Sequence, residues 1–270
     1  MFRKVTRPFR RLASAVPQMN SFRRGYSNWR RSKLWPCRSG TKGPQAEQSD
    51  LEKFFEARKE GHGIWKWKHY FDIYDRHFSR FRGREVHILE IGIYSGGSLE
   101  MWREYFGPKA RIYGVDIEPA CKAYEDGSIK VFIGDQADRG FWRQFKKDVP
   151  ELDIVIDDGG HQSEQQIATF EELLPHLRAG GVYLCEDLHF AHNRFAAYIY
   201  GFASNLNASQ RWERNFDNQD RRLVCTATAF QSAVRSVHLY PFVAVVEKRD
   251  TPIDEFLSPK RGTIWAPFGR

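Results

Sequence analysis

Residues 86–97 read Val86-His87-Ile88-Leu89-Glu90-Ile91-Gly92-Ile93-Tyr94-Ser95-Gly96-Gly97, and the fold is decided there. An apolar β-type run, 86–91, meets a glycine-rich turn and then a stretch of helical character, 97–106. The alternation continues downstream. Strand-like runs at 110–116, 129–133, 152–157 and 182–185 are interleaved with helical stretches at 137–147, 163–177 and 193–206. Gly180-Gly181 reads as the stop signal of the helix before it. Two β-type runs, 236–240 and 242–247, are joined at Pro241 as a hairpin. Strands separated by helices pair in parallel. The expectation is therefore an α/β fold: a doubly wound, Rossmann-like, mostly parallel sheet with helices on both faces and a C-terminal antiparallel hairpin.

Upstream of this frame, residues 49–60 suit a short helix, with Ser49 as cap and Glu52 three positions on. Gly61-His62-Gly63 breaks it. Residues 65–81 are rich in aromatics, and Phe71, Tyr74, Phe78 and Phe81 recur at helical spacing. A helix packed on the core accounts for them, with Lys68, His69 and His77 as secondary candidates for a site mouth.

The 270 residues are 41% hydrophobic and 15% aromatic, enough for a large core and too apolar for a disordered chain. No apolar run approaches the roughly 20 residues of a membrane-spanning helix. Cys37, Cys121, Cys185 and Cys225 are widely spaced, which argues against a disulfide scaffold or zinc ribbon and for a reducing, cytoplasmic setting. Twelve of the 42 Lys and Arg lie in residues 1–46, which hold no acidic residue; the rest of the chain is net −4 against a total of +8. The basic excess belongs to an N-terminal extension expected to be disordered, followed by one domain over 47–270. That extension also has the composition of an organellar transit segment. With a net acidic body, nucleic acid is disfavoured as a partner.

In open α/β sheets ligands bind beyond the carboxyl ends of the strands. The turn after the first strand lacks the spacing of a nicotinamide-dinucleotide fingerprint. The second strand ends in Asp116, placed to accept ribose hydroxyls, and the third in Gly134-Asp135-Gln136, suited to an adenine. The fourth ends in Asp157-Asp158-Gly159-Gly160-His161 and the fifth in Glu186-Asp187-Leu188-His189. Carboxylates gathered from neighbouring strand ends repel unless a cation or proton lies among them, and oxygen donors favour a hard ion such as Mg²⁺. His161 is within reach of the same ligand as a general base.

On these residues the chain resembles class I S-adenosylmethionine-dependent methyltransferases over residues 65–248. It is most similar to the metal-dependent sugar O-methyltransferases of the mycinamicin and macrocin type, a group that shades into the cephalosporin hydroxylase-like family. The stretches that carry the resemblance are L-E-I-G-I-Y-S-G-G-S at 89–98, Y-G-V-D-I-E-P at 113–119, D-I-V-I-D-D-G-G-H at 153–161 and G-G-V-Y-L-C-E-D at 180–187. The resemblance implies a seven-stranded sheet, S-adenosyl-L-methionine, and Mg²⁺ or another hard divalent cation. It places metal ligation on Asp158, Glu186 and Asp187, and the catalytic base on His161. Cofactor contacts are expected from Glu90, Gly92, Ser95, Gly96, Asp116, Asp135 and Gln136. The first motif is Gly92-x-x-x-Gly96-Gly97 rather than the commoner G-x-G-x-G. The implied activity is O-methylation of a sugar hydroxyl on a small or glycosylated acceptor, with a homo-oligomer left open. An RNA methyltransferase using the basic arm, a cephalosporin hydroxylase-like protein and a non-catalytic membrane-surface scaffold are the rival readings.

Overall fold

A computed structural model describes residues 20–21, 23–25, 27–28, 48–188, 193–208, 212–215, 222–259 and 261–262, the side chains of 212–215 and 222 excepted. The chain divides into two units, Met1–Glu47 and Gln48–Arg270. In the first unit residues 20–21, 23–25 and 27 are helical. The remainder of that arm, with Phe2, Phe9, Phe22, Tyr26, Trp29 and Trp35, lies outside the described residues.

The second unit is built on a seven-stranded sheet of order β3-β2-β1-β4-β5-β9-β8. Its strands are β1 (Val86–Ile91), β2 (Ala110–Asp116), β3 (Ile129–Ile133), β4 (Leu152–Asp157), β5 (Leu177–Cys185), β8 (Val234–Tyr240) and β9 (Val243–Lys248). β1 to β5 pair in parallel, and β9 runs antiparallel to both β5 and β8. The sequence of parallel pairs reverses at β1 and β4, the switch point where a crevice opens.

Side-chain alternation along the strands feeds two cores. Ile88, Ile112, Ile154, Ile156, Val182 and Leu184 face one side. There they meet α1 (Asp50–Ala57), α2 (Tyr70–Phe78) and α3 (Gly97–Phe106). Leu89, Ile91, Val115, Val155 and Tyr183 face the other, against α4 (Arg139–Asp148), α5 (Ser163–Leu173) and α6 (Arg194–Ser204). Every residue of β1 is buried, as a strand covered on both faces requires. Helix starts follow the local chemistry. Ser49 Oγ accepts the Glu52 amide at 3.2 Å, Asp138 Oδ1 the Gly140 amide at 2.6 Å, and Asn193 Oδ1 the Phe195 amide at 2.8 Å.

Gly180-Gly181 does not end a helix. The helix α5 stops at Leu173, and the glycines lie inside β5, where Gly180 takes φ +74° and donates its N–H to Arg249 O. The pair bends a strand whose register with β4 shifts between Leu152 and Ile154, a use of glycine that resembles a stop signal in sequence alone. A further short helix, α7 (Ala229–Ala233), and a separate antiparallel sheet of order β10-β7-β6 complete the unit. The strands β6 (Trp212–Asn215), β7 (Arg222–Thr226) and β10 (Glu255–Pro259) were not anticipated. These are runs of four or five residues, too short for an alternation to be read. Among the described residues no helix is long and apolar enough to cross a membrane.

Candidate active site

The loops beyond β1 to β5 surround a cavity of about 770 Å³. Its wall includes Gly92, Ser95, Asp116, Asp135, Gln136, Asp158, His161, Glu186 and Asp187, so six stretches of chain far apart in sequence meet the same space when Trp65 is added. A volume of this order suits a cofactor-sized ligand.

Gly92 makes the loop packing feasible. Its φ is +87°, and a Cβ on it would lie 2.1 Å from Asp158 O. The turn after β1 thus touches the turn after β4 backbone to backbone, and only hydrogen fits between them. Asp116 braces the same turn. Its Oδ2 accepts the amides of Ile93 (2.8 Å) and Tyr94 (3.1 Å), while Oδ1 accepts that of Glu118 (2.9 Å). Both oxygens therefore hold backbone while the residue also faces the cavity. Asp135 Oδ1 accepts the Ala137 amide at 2.8 Å. Gln136 is buried: Nε2 donates to Asp157 Oδ1 at 3.0 Å, and Oε1 accepts the Gly160 amide at 2.7 Å, fixing the loop that carries Asp158 and His161.

Two of the expected cofactor contacts stand behind the wall. Glu90 is fully buried and accepts from Ser98 Oγ at 2.7 Å. Gly96, at φ +77°, opens α3, and a Cβ on it would lie 2.7 Å from the Tyr124 ring. Their neighbours Ser95 and Ser98 reach the cavity instead. A local motif locates the turn; which of its atoms face the ligand depends on how the following helix is rotated.

The acidic strand ends converge as their positions suggested, around a cation that the pattern did not reveal. Lys66 Nζ lies 2.6 Å from Asp158 Oδ2, 3.2 Å from each oxygen of Glu186 and 3.3 Å from Glu90 Oε1, with its side chain only 3% exposed. Tyr74 OH donates to Glu186 Oε1 at 2.6 Å, and Tyr70 OH to Asp187 Oδ1 at 2.7 Å. The signal for all three was present: a lysine inside an aromatic run, and two tyrosines four positions apart on one helical face. His161 Nε2 lies 3.7 Å from Asp187 Oδ2, and its Nδ1 is buried with no hydrogen-bond partner. Donor atoms of Asp158, His161 and Asp187 lie within 4.8 Å of one another. His161 and Asp187 hold φ near +55° and +57°, a costly left-handed backbone for non-glycine residues.

The electrostatics follow from burial without enough positive charge. Glu90, Asp158 and Glu186 share one ammonium, with Asp187 close by on the same wall. Burial, then the Asp158 charge, pushes the Glu186 carboxyl well above its usual range, and burial likewise raises Glu90. Burial alone would lower Lys66, but the charges of Asp158, Glu186 and Glu90 win and raise it well above the usual lysine value. Both signs of group hold protons more tightly, as expected where negative charge is in excess. This oxygen-rich donor set, open to the cavity at Asp158 and Asp187, fits a hard divalent cation.

The secondary candidates from the aromatic stretch go elsewhere. Lys68 pairs with Glu56, and His69 Nε2 meets Pro241 O at 3.0 Å. His77 is buried, with Nδ1 2.8 Å from Glu247 Oε1 and Nε2 2.9 Å from Tyr240 OH. With His238 it forms the second metal-capable group among the described residues. Both its ring nitrogens are engaged and Arg80 lies 3.9 Å from Glu247, so the group pins α2 to the hairpin. His189 lies outside the described residues.

Comparison with known proteins agrees with this geometry. Residues 89–188 match the family described as "Methyltransferase domain". Demethylmacrocin O-methyltransferase of Streptomyces fradiae is 43% identical over 149 residues, 52% of this chain and 36% of that protein. The 8-demethyl-8-(2-methoxy-alpha-L-rhamnosyl)-tetracenomycin-C 3'-O-methyltransferase of Streptomyces olivaceus is 42% identical over 158 residues, 55% of this chain and 38% of that one. Among solved structures, the MycE methyltransferase of the mycinamycin pathway, in complex with Mg and SAH, superposes with a TM-score of 0.58. It is 27% identical, with 76% of this chain and 55% of that chain covered. The chain thus spans only about a third to a half of the length of these relatives. Residues 89–188 thus match a methyltransferase domain, and the chain is similar in sequence to sugar O-methyltransferases of the macrocin, tetracenomycin and mycinamicin type.

Proposed function

We propose that the protein transfers a methyl group from S-adenosylmethionine to a sugar hydroxyl of a glycosylated small molecule, assisted by a divalent metal. One observation carries this reading. Asp158, His161 and Asp187 form a compact donor group on the wall of the cavity that Gly92, Asp116 and Asp135 also line. A nucleoside-binding region and a cation-binding region in one space suit methyl transfer to a hydroxyl that a cation held there would polarise.

When bound, S-adenosylmethionine supplies an activated methyl on its sulfonium, and a divalent cation supplies the polarisation that makes a hydroxyl acidic. The chain does the rest. The Gly92–Ser95 turn and Asp135 cradle the nucleoside side, with Asp116 bracing the turn and offering its remaining acceptor capacity to a ribose. Asp158, Glu186 and Asp187 are the proposed cation ligands, and His161 Nε2 takes the acceptor proton. Asp187, 3.7 Å from that nitrogen, stabilises the imidazolium that results. Exposed Trp65 and Trp67, on the same wall, offer apolar faces to a sugar ring. Fixed placement of base and acceptor lowers the barrier by several kcal/mol, up to ~7–11 at the limit.

The test is calorimetry with S-adenosylhomocysteine, followed by methyl transfer to glycosylated macrolide and rhamnosylated polyketide acceptors with Mg²⁺ or with excess chelator. Product with Mg²⁺ and none with chelator is expected. Failure to bind S-adenosylhomocysteine sinks the reading as a whole; full turnover in chelator removes the metal from it.

A further inference from the structure

Lys66 binds the very oxygens that the proposed cation needs. Its ammonium is at hydrogen-bond distance from Asp158 Oδ2 and sits symmetrically, 3.2 Å from both Glu186 oxygens. These are two of the three carboxylates proposed as metal ligands. A divalent cation sharing them with an ammonium meets like charge at close range, in a site where burial leaves little water to screen it. The two cations cannot both be held well by the same pair of carboxylates.

A second acceptor waits on the far side of Lys66. Glu90 is fully buried, and its Oε1 makes no hydrogen bond although Nζ is only 3.3 Å away. Its other oxygen is taken by Ser98 Oγ. A short swing of the flexible lysine stem would trade Asp158 for Glu90 and turn that loose ion contact into a hydrogen bond. Glu90 does not line the cavity, so a lysine drawn to it leaves the cavity-facing oxygens free.

We infer that Lys66 is a built-in competitor of the divalent cation, bonded to Asp158 and Glu186 until the metal displaces it toward Glu90. This deepens the metal-assisted reading and rests on it. Lys66 then sets the affinity for metal and keeps the carboxylate cluster compact without one. Glu90, buried one layer behind the wall, serves as the place to which the lysine withdraws. Its position in the first-motif stretch is explained without any direct contact to the cofactor.

The test is Mn²⁺ binding to the full chain by calorimetry, with S-adenosylhomocysteine affinity and circular dichroism as measures of intact fold. Lys66→Met should bind Mn²⁺ roughly tenfold more tightly or better, since a charge at contact distance is removed. Equal or weaker binding by a folded Lys66→Met overturns the inference and leaves the metal reading standing. Should that variant fail to fold, Lys66→Arg decides. Its guanidinium fork holds two carboxylates at once, so a stronger competitor should weaken Mn²⁺ binding, and unchanged affinity overturns the inference. In a crystal structure of the Mn²⁺ complex, Lys66 Nζ should lie nearer Glu90 Oε1 than Asp158 Oδ2; an Nζ still bonded to Asp158 beside the metal also overturns it. If neither wild type nor Lys66→Met binds Mn²⁺ while both bind S-adenosylhomocysteine, the metal reading and this inference fall together.

Discussion

The phenol of Tyr70 donates a 2.7 Å hydrogen bond to Asp187 Oδ1, tying the first turn of α2 to the loop after β5 across 117 positions of sequence. Burial, then the hydrogen bond to Asp187, pushes the Tyr70 hydroxyl far above its usual pKa, so the phenol is the donor of the pair. Tyr70 orients a proposed metal ligand that also carries an unfavourable φ of +57°. Tyr70→Phe should therefore weaken Mn²⁺ binding by roughly 10- to 100-fold, the usual cost of losing a partner that orients a ligand. Titration calorimetry reads this directly, with S-adenosylhomocysteine affinity unchanged as the control. Unaltered Mn²⁺ affinity would show that Asp187 does not need the phenol.

Gly92→Ala should disrupt both the fold and the cofactor side. The new Cβ would lie 2.1 Å from Asp158 O at a positive φ, so the turns after β1 and β4 must separate. A loss of at least about 1–3 kcal/mol of stability is expected, with S-adenosylhomocysteine binding falling more steeply than stability. Urea unfolding and calorimetry on the same sample separate the two effects.

His161→Ala should spare S-adenosylhomocysteine binding, because no described hydrogen bond links the ring to the Gly92 or Asp116 loops. Turnover should fall by about 10²–10⁴-fold, typical for a lost general base. Single-turnover methyl transfer at saturating cofactor and Mg²⁺ measures it. Wild-type turnover in this variant would move the base elsewhere.

Glu247 gives a pH dependence away from the cavity. Its hydrogen bond with His77 holds the carboxyl at about 2, well below the ordinary 4.5. A depressed carboxylate adds stability that is complete above the unfolded value and is lost as pH falls through 4.5 toward 2. The stability difference between wild type and Glu247→Gln should thus be steady near neutrality and shrink below about pH 4.5. Urea unfolding at a series of pH values checks it. A gap that widens on acidification would contradict the assignment.

A shortened chain beginning at Gln48 should keep S-adenosylhomocysteine affinity within about twofold, since no residue of 1–47 lines the cavity among those described. Matched calorimetry of the full and shortened chains is sufficient. A larger loss with an unchanged circular dichroism spectrum would give the basic arm a part in the site.

Local pattern determined much of this protein. The strands at 86–91, 110–116, 129–133 and 152–157 and the helix at 97–106 have the bounds their periodicity predicts. The cap at Ser49 and the ligand edge beyond the carboxyl ends of the strands followed from side-chain chemistry and from the binding rule of open α/β sheets. The convergence of Asp158, His161, Glu186 and Asp187 on one cavity was legible because strand ends in such a sheet must share one edge. Tertiary structure alone decided what lies between them. Lys66 meets Asp158 across 92 positions and Glu186 across 120, a contact that no window of sequence contains. Glu90 turned out to be behind the wall, and Gln136 to be a brace, because the rotation of α3 and the packing of the loop after β4 set those directions. Gly180-Gly181 looked like a helix stop and became a strand bend, since glycine permits both and only the pairing of β4 with β5 selects one. Sequence encodes periodicity and capping through neighbours a few residues apart. Charge compensation in a buried cluster is settled by which distant groups the finished fold brings within a few ångströms.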